Sequence, residues 1–277
     1  MTATSDVELP KPFTGTGTIT NPATGSVAGE VRWTDPADVP RIAASVRAAQ
    51  KEWEARGPKG RAKVLARYAV WLGEHRAEIE SLLIAETGKS AVDAAQEVPL
   101  IIMIASYYIK TMEKALAPES RPASLPFLAI KKITVHYRPR PVVGIIAPWN
   151  YPVANLLMDT IGALAAGCAV LLKPSERTPL TAELLLRGWL DSGAPEVMAI
   201  VQGAREAVEA VVDNSDYIQF TGSSATGSKV MERAARRLTP VSLELGGKDP
   251  MIVLEDADID LAAHAAVWGA MFNAGQT

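Results

Sequence analysis

From residue 141 onward the chain alternates short apolar runs with segments of helical period. Residues 142–147, 169–172, 197–201, 217–220 and 241–245 are runs of four to six mostly apolar, often β-branched residues, bounded by Gly, Pro or polar residues. Such runs read as strands. The stretches between them, opening near Pro152, Thr181, Ala204 and Ser224, carry helical patterns. Five strands separated by helices predict an α/β fold with a doubly wound, parallel, Rossmann-like sheet. Ligands of such sheets sit at the carboxyl ends of the strands, so chemistry is expected just after Ala147, Leu172, Val201, Phe220 and Leu245.

The earlier part of the chain reads differently. Residues 1–33 look extended, with turn signals at Asn21-Pro22 and Thr24-Gly25. Residues 35–117 read as helices. Val39, Ile42, Ala43, Val46, Ala49 and Trp53 fall at helical spacing, Pro58 opens the next helix, and Ile79, Leu82 and Leu83 mark an apolar face closed by Gly88. Residues 98–109 are apolar nearly all round, which predicts a helix buried on every side. Residues 118–126 hold three prolines and read as a linker, and residues 127–137 read as a strand at an edge or interface.

The net charge is -3, from 28 Lys and Arg against 31 Asp and Glu, so no broad electrostatic footprint for nucleic acid or an anionic membrane is present. With 48% hydrophobic and 21% charged residues the composition is that of a globular chain. One cysteine and three histidines exclude a disulfide framework and argue against a zinc site of the usual Cys/His kind, so no metal is expected. His75, His136 and His264 are scattered and read as structural. The first twelve residues carry Asp6, Glu8 and two prolines, not the basic start and apolar core of a secretory signal. The most lipid-like stretch, residues 153–172, contains Asn155, Asp159 and Thr160 and fits a buried helix followed by a buried strand better than a membrane span. A soluble, cytoplasmic protein is the expectation.

Four strand ends carry polar or glycine-rich sequences. Ile146 and Ala147 lead into Pro148-Trp149-Asn150-Tyr151-Pro152. Two prolines around that triplet fix an unusual backbone, and an Asn amide held there is either a donor to a developing oxyanion or a cap of the next helix. Lys173-Pro174-Ser175-Glu176 puts an acid where ribose hydroxyls bind, or else forms a solvated charge pair. Phe220-Thr221-Gly222-Ser223, with Gly227 beyond, is a turn into a helix whose N-terminus suits a pyrophosphate, or a plain strand-to-helix turn. The order Gly227-Ser228-Lys229 is not a P-loop, and the glycine spacing is not the usual dinucleotide fingerprint. In Glu244-Leu245-Gly246-Gly247-Lys248 a carboxylate stands between Leu243 and Leu245. On a buried strand it is either a general base of raised pKa or half of an ion pair with a Lys.

Taken with Phe272-Asn273-Ala274-Gly275-Gln276-Thr277, these pieces resemble, in order and along the whole chain, the NAD(P)-dependent aldehyde dehydrogenase family. The resemblance implies roles. Asn150 would be the oxyanion-hole side chain, and Glu244 would activate the water that hydrolyses an acyl-enzyme. Ile146, Pro148, Trp149, Lys173, Ser175, Glu176, Gly203, Phe220, Thr221, Gly222, Ser223, Gly227, Leu245 and Gly246 would surround the cofactor, with Lys173 and Glu176 at the adenine ribose. Glu176 leans the expected cofactor to NAD, while Lys173, Ser175 and Arg177 leave room for NADP. Residues 1–120 and 140–245 would form the cofactor-binding domain, 121–139 a linker and oligomerisation strand, and 246–277 the start of a catalytic domain. A homodimer or homotetramer acting on a small aldehyde is implied for the full-length parent, with Asn150, Tyr151, Leu157 and Trp268 nearest the substrate.

The family's mechanism passes through a Cys thiohemiacetal and a thioester. This chain departs from the pattern twice. Its loop after the third strand lacks a second glycine, Gly203 being followed by Ala204, Arg205, Glu206, Ala207 and Val208. The family's nucleophilic Cys follows Asn-x-Gly-Gln-x directly, and the sequence stops at Thr277, one residue short. Cys168 begins a strand, at the end away from the site, and reads as a small core residue. The expectation is an inactive N-terminal part of an aldehyde dehydrogenase. The alternatives are a non-catalytic nucleotide-binding or interaction protein and, among enzymes, a CoA-acylating aldehyde dehydrogenase, against which Glu244 argues.

Overall fold

The structure is a computed structural model that describes residues 15–122, 125 and 130–277. Strands β1 (Thr16–Thr20) and β2 (Val27–Arg32) pair antiparallel. Their turn forms because Asn21 Oδ1 accepts the Ala23 N–H at 2.8 Å and Gly25 adopts φ +74°. Helices α1 (Val39–Ala55), α2 (Gly57–Glu74), α3 (Arg76–Thr87), α4 (Ala91–Ala94) and α5 (Glu97–Ala115) follow. Pro58 sits in the first turn of α2, and Gly88, at φ +67°, closes α3 in the left-handed conformation.

Two short strands, β3 (Glu119–Arg121) and β4 (Ile133–Val135), make an antiparallel pair. The parallel sheet then forms from β5 (Val142–Ile146), β6 (Ala169–Lys173), β7 (Met198–Ile200), β8 (Tyr217–Gly222) and β9 (Val241–Leu245), in the order β7-β6-β5-β8-β9. Helices α6 (Ala154–Ala166), α7 (Pro179–Asp191), α8 (Arg205–Asn214) and α9 (Ser224–Ala235) are the crossovers. The chain moves outward from β5 through β6 to β7, then returns to the other side of β5. That reversal opens a crevice at the carboxyl ends of β5 and β8. Every residue of β5 and β6 is buried, as a sheet covered on both faces requires. After β9 the chain runs without regular structure to α10 (Ile259–Gly275), which is interrupted at Phe272, Asn273 and Ala274. Ile252, Leu261, Val267 and Trp268 are exposed there.

Aromatic side chains weld the helical region to the sheet. Trp189 of α7 stands edge-on to Trp53 of α1 and Tyr68 of α2, at ring separations of 5.9 and 5.4 Å. Each polar tip reaches a backbone carbonyl. Trp53 Nε1 donates to Leu164 O at 3.0 Å, Tyr68 OH to Leu185 O at 3.0 Å, and Trp189 Nε1 to Pro195 O at 2.7 Å. Gly188 makes the approach of α7 to α2 possible.

Four expectations are corrected. Helix α5 is not buried all round. Val98, Ile101, Ala105 and Met112 form one buried face, against α2 and α6, while Met103 and Tyr107 are exposed. By length and composition alone, residues 91–115 would suffice to cross a membrane. The expected linker contains β3, because Glu119, Ser120 and Arg121 find backbone partners in β4. The strand expected over 127–137 is only three residues long where it is described, and 127–129 lie outside the described residues. Finally, β9 is an edge strand, so Glu244 and Leu245 are exposed at its end.

An added Cβ at Gly188 would lie 2.2 Å from the Trp71 ring, whereas one at Gly73 would meet only Ile102, at 3.7 Å. Gly188→Ala is therefore expected to cost about 1–3 kcal/mol through overpacking. Gly73→Ala should gain up to about 1 kcal/mol from lost unfolded-state freedom. Urea unfolding midpoints of the two variants check the opposite signs.

Candidate active site

A cleft of about 690 Å³ opens where the topology reverses, over the ends of β5, β6 and β8 and between α8 and α9. Ten of the residues singled out in the sequence line it: Ile146, Pro148, Trp149, Lys173, Ser175, Glu176, Phe220, Thr221, Gly222 and Ser223. Lys173 ends the fully buried β6, so the residue is only 4% exposed, and its amine donates to Glu176 Oε2 at 3.2 Å. Burial lowers the amine's proton affinity, and the Glu176 charge partly restores it. The pair thus sits in the cleft wall, with the amine buried and the carboxylate partly exposed. Ser223 caps α9, its Oγ accepting the Thr226 N–H at 3.3 Å.

Four of the residues expected at the cofactor do not line the cleft. Gly227 is a contact point instead: a Cβ there would meet Leu245 Cδ2 at 2.7 Å, so the glycine lets α9 close on β9. Gly203 turns the chain into α8 with φ +149° and close approach to Ala207. Leu245 packs on Gly227 from the sheet edge, and Gly246 has open space around its Cα. Sequence reading missed Ala204, Arg205, Val208, Lys229 and Val230, which line the cleft from α8 and α9. They belong to helix faces with no motif of their own.

The cleft's volume is in the range of small-molecule sites, roughly 300–1,000 Å³. It is lined by Val208, Val212 and Val230 on the helices and by Lys173, Ser175 and Glu176 at the end of β6. An apolar slot beside hydroxyl-binding groups fits an adenosine, and Thr221 to Thr226 at the N-terminus of α9 continue it with the donors a diphosphate needs.

Asn150 sits beyond Trp149, in a loop held from outside. Lys89 and Glu97 form an ion pair, 2.7 Å long, with side chains 0% and 1% exposed. Lys89 Nζ also donates to the Asn150 carbonyl at 2.9 Å, and Glu97 Oε2 accepts the Val153 and Ala154 N–H groups at 2.9 Å each. Glu97, not Asn150, therefore caps α6. The Asn150 amide is free to point elsewhere, and its Nδ2 donates to Gln276 O at 2.7 Å. Asn155 Nδ2 donates to Asn150 Oδ1, Asn273 Nδ2 to Asn150 O, and the Tyr151 hydroxyl meets Thr277 Oγ1 at 2.7 Å. Two motifs 120 residues apart thus converge, immediately beside the cleft.

Glu244 shares one sheet face with Gln219, Thr221 and Ser242, since Gln219 pairs with Ser242 and Thr221 with Glu244. Leu245 points to the other face, against α9. The exposure of Glu244 therefore comes from its place on an edge strand, and among the described residues it makes no ion pair with Lys248. Asp159 of α6 accepts a hydrogen bond from Gln219, and burial, with Glu244 adding to it, raises its carboxyl above the usual range. Cys168 is 5% exposed at the amino end of β6, and burial pushes its thiol up to about 11. It is remote from the cleft and held in its unreactive form.

The Aldehyde dehydrogenase family model matches residues 12–277. The chain belongs to the aldehyde dehydrogenase family. Among relatives, a Mycobacterium tuberculosis protein named "Putative succinate-semialdehyde dehydrogenase [NADP(+)] 2" is 45% identical over 246 residues, 87% of this chain and 46% of that protein. The pea (Pisum sativum) protein named aminoaldehyde dehydrogenase 2, peroxisomal, is 36% identical over 93% of this chain and 53% of its own length. The structure of a Bacillus cereus aldehyde dehydrogenase in complex with NAD+ superposes with a TM-score of 0.88 at 32% identity, covering 95% of this chain and 54% of that one. The chain spans about half the length of these relatives. The aldehyde dehydrogenase fold explains the five-stranded parallel sheet and the helical region before it.

Two carboxyls that support the site give testable effects. Lys89→Met strands a buried Glu97 charge and is expected to cost about 3–5 kcal/mol, measured by denaturant unfolding. Glu86 is buried at the start of α7, where it accepts from Leu180 N, Thr181 N and Thr181 Oγ1. Burial nevertheless pushes its carboxyl from 4.5 up to about 7. Between those values the folded state holds a proton that the unfolded chain has released, so stability should fall as pH rises from 4.5 to 7. Glu86→Gln should flatten that part of the melting-temperature profile.

Proposed function

We propose that this chain is the cofactor-binding part of an NAD(P)-dependent aldehyde dehydrogenase that oxidises an aldehyde to a carboxylic acid. The observation that carries the proposal is the junction at Trp149 and Asn150. Trp149 lines the cleft, and the next residue bonds the Phe272-to-Thr277 segment, so a cofactor site and a reaction site share one wall. The NADP(+) and NAD+ in the names of the M. tuberculosis and B. cereus proteins support the cofactor class.

In this reading Lys173 and Glu176 hold the adenosine ribose, and the start of α9 takes the diphosphate. The bound nicotinamide supplies the hydride acceptor. The resemblance places a nucleophilic Cys directly after Gln276-Thr277. The Asn150 amide, already aimed at that segment, donates to the oxygen that gains charge when the aldehyde is attacked. Glu244, at an accessible strand end, takes a proton from the water that releases the acid.

In a protein that continues this chain through the Cys, Glu244→Gln should leave a burst of reduced cofactor while steady turnover collapses. Equal loss of both would remove Glu244 as the base. Asn150→Ala should slow the burst itself by roughly 100-fold or more, on the scale of a lost oxyanion donor. Residues 1–277 alone should give no reduced cofactor with aliphatic or aromatic aldehydes. Turnover that disappears in Cys168→Ala would overturn the placement of the nucleophile.

A further inference from the structure

We propose that Asp159 is a positioning residue for Glu244: it occupies the Gln219 amide and repels the second carboxylate, so that Glu244 stays unbonded and open to the water it deprotonates. The inference rests on the reading of Glu244 as the base and asks what keeps that base free.

Asp159 is an acid without an evident structural task. It lies within α6, half-buried, and makes no ion pair with a lysine or arginine among the described residues. It caps no helix, since Glu97 serves the head of α6. A carboxylate withdrawn from water with no cation beside it is destabilising. Each neighbouring element presents one group to it. Gln219 of β8 donates a hydrogen bond, which favours the charged form, and the charge of Glu244 on β9 opposes it. From α5, Tyr108 feels the Asp159 charge, its hydroxyl lying against Gly162 one turn further along α6. Two carboxylates thus face each other across one glutamine.

Strand register explains what that glutamine would otherwise do. Gln219 pairs with Ser242 and Thr221 with Glu244, so Gln219 and Glu244 are diagonal neighbours on one sheet face. Long side chains reach each other across such a diagonal. A glutamine amide is a good donor to a glutamate, and a Glu244 bonded in that way would lie along the sheet with an oxygen engaged. The bond is not made. Among the described residues Glu244 has no hydrogen bond and no ion pair, while Gln219 donates to α6. Two effects of Asp159 produce this. Its carboxylate takes the amide at a less exposed place, where the hydrogen bond is stronger. Its charge drives the like charge of Glu244 outward, to the solvent at the strand end. Glu244 then offers both oxygens to a water.

The test reads the arrangement first and the reaction second. In residues 1–277, nitrogen-15 NMR follows the side-chain amide of Gln219, identified by its loss in Gln219→Leu. Glu244→Gln should barely move that signal in the unaltered protein. In an Asp159→Ala background, where the amide has turned to Glu244, the same change should shift it clearly. In a protein that continues this chain through the Cys, Asp159→Ala should lower steady turnover about tenfold, a part of the roughly 100-fold or more that a general base supplies, and leave the burst of reduced cofactor. Adding Gln219→Leu removes the competing donor and should return most of that turnover, which a damaged fold would not do. An amide that responds to Glu244→Gln equally in both backgrounds overturns the inference. So does a burst that falls together with turnover, an unchanged turnover, or no recovery with Gln219→Leu. A Glu244→Gln variant that itself keeps full steady turnover removes Glu244 as the base and the inference with it, an outcome told apart from the others because Asp159 is intact.

Discussion

The buried ion pair between Lys89 and Glu97 holds the site together. Two charges removed from water are expensive, and the pair persists because both partners make further polar contacts. Lys89 spends one donor on the Asn150 carbonyl, and Glu97 spends its second oxygen on two N–H groups at the head of α6. The pair therefore ties together the start of α5, the turn after β5 and the first turn of α6. A single exposed ion pair would not position a loop in this way. A buried one tolerates only one arrangement, and so it fixes where Asn150 can point.

The sheet supplies the other half of the positioning. Its strand order leaves a crevice beside β5, and the aromatic contacts of Trp53, Tyr68 and Trp189 hold the helical region against the crossover helices. Pro148 and Trp149 are thereby fixed from two sides, by the strand before them and by the Lys89 and Glu97 pair after them. The cleft and the Asn150 loop thus share one wall, Trp149 lining the one and Asn150 belonging to the other.

The five parallel strands were legible because each is a short apolar run closed by glycine, proline or charge, and because their burial on both faces suppresses alternation. The hairpin turn at Asn21 and the cap at Gly88 were legible for the same local reason. Tertiary choices were not. Nothing near Glu97 marks it as the cap of a helix 56 residues away. An apolar helix such as α5 reads as buried on all sides, yet its Met103 and Tyr107 are exposed. Glu244 looked anomalous because a strand's rank in the sheet, edge or centre, is not written in its own residues. Arg205 and Lys229 carry no motif. They enter the cleft only because a short loop and a helix register bring them there.

The segment before Thr277 is held in an uphill conformation. Asn273 and Ala274 both have positive φ, at 55° and 56°, a region that costs a side-chain-bearing residue roughly 1–3 kcal/mol. One backbone hydrogen bond spans the turn, from Gln276 N to Asn273 O at 3.1 Å. Side chains add to it: Asp93 accepts from the Asn273 backbone, the Asn273 amide donates to Asn150 O, and the Asn150 amide donates to Gln276 O. The turn is thus held by contacts from residues far away in the sequence, Asp93 and Asn150. A ligand oxygen that takes the Asn150 amide would do so at the expense of its bond to Gln276 O, which ties substrate-side chemistry to the turn that precedes Thr277.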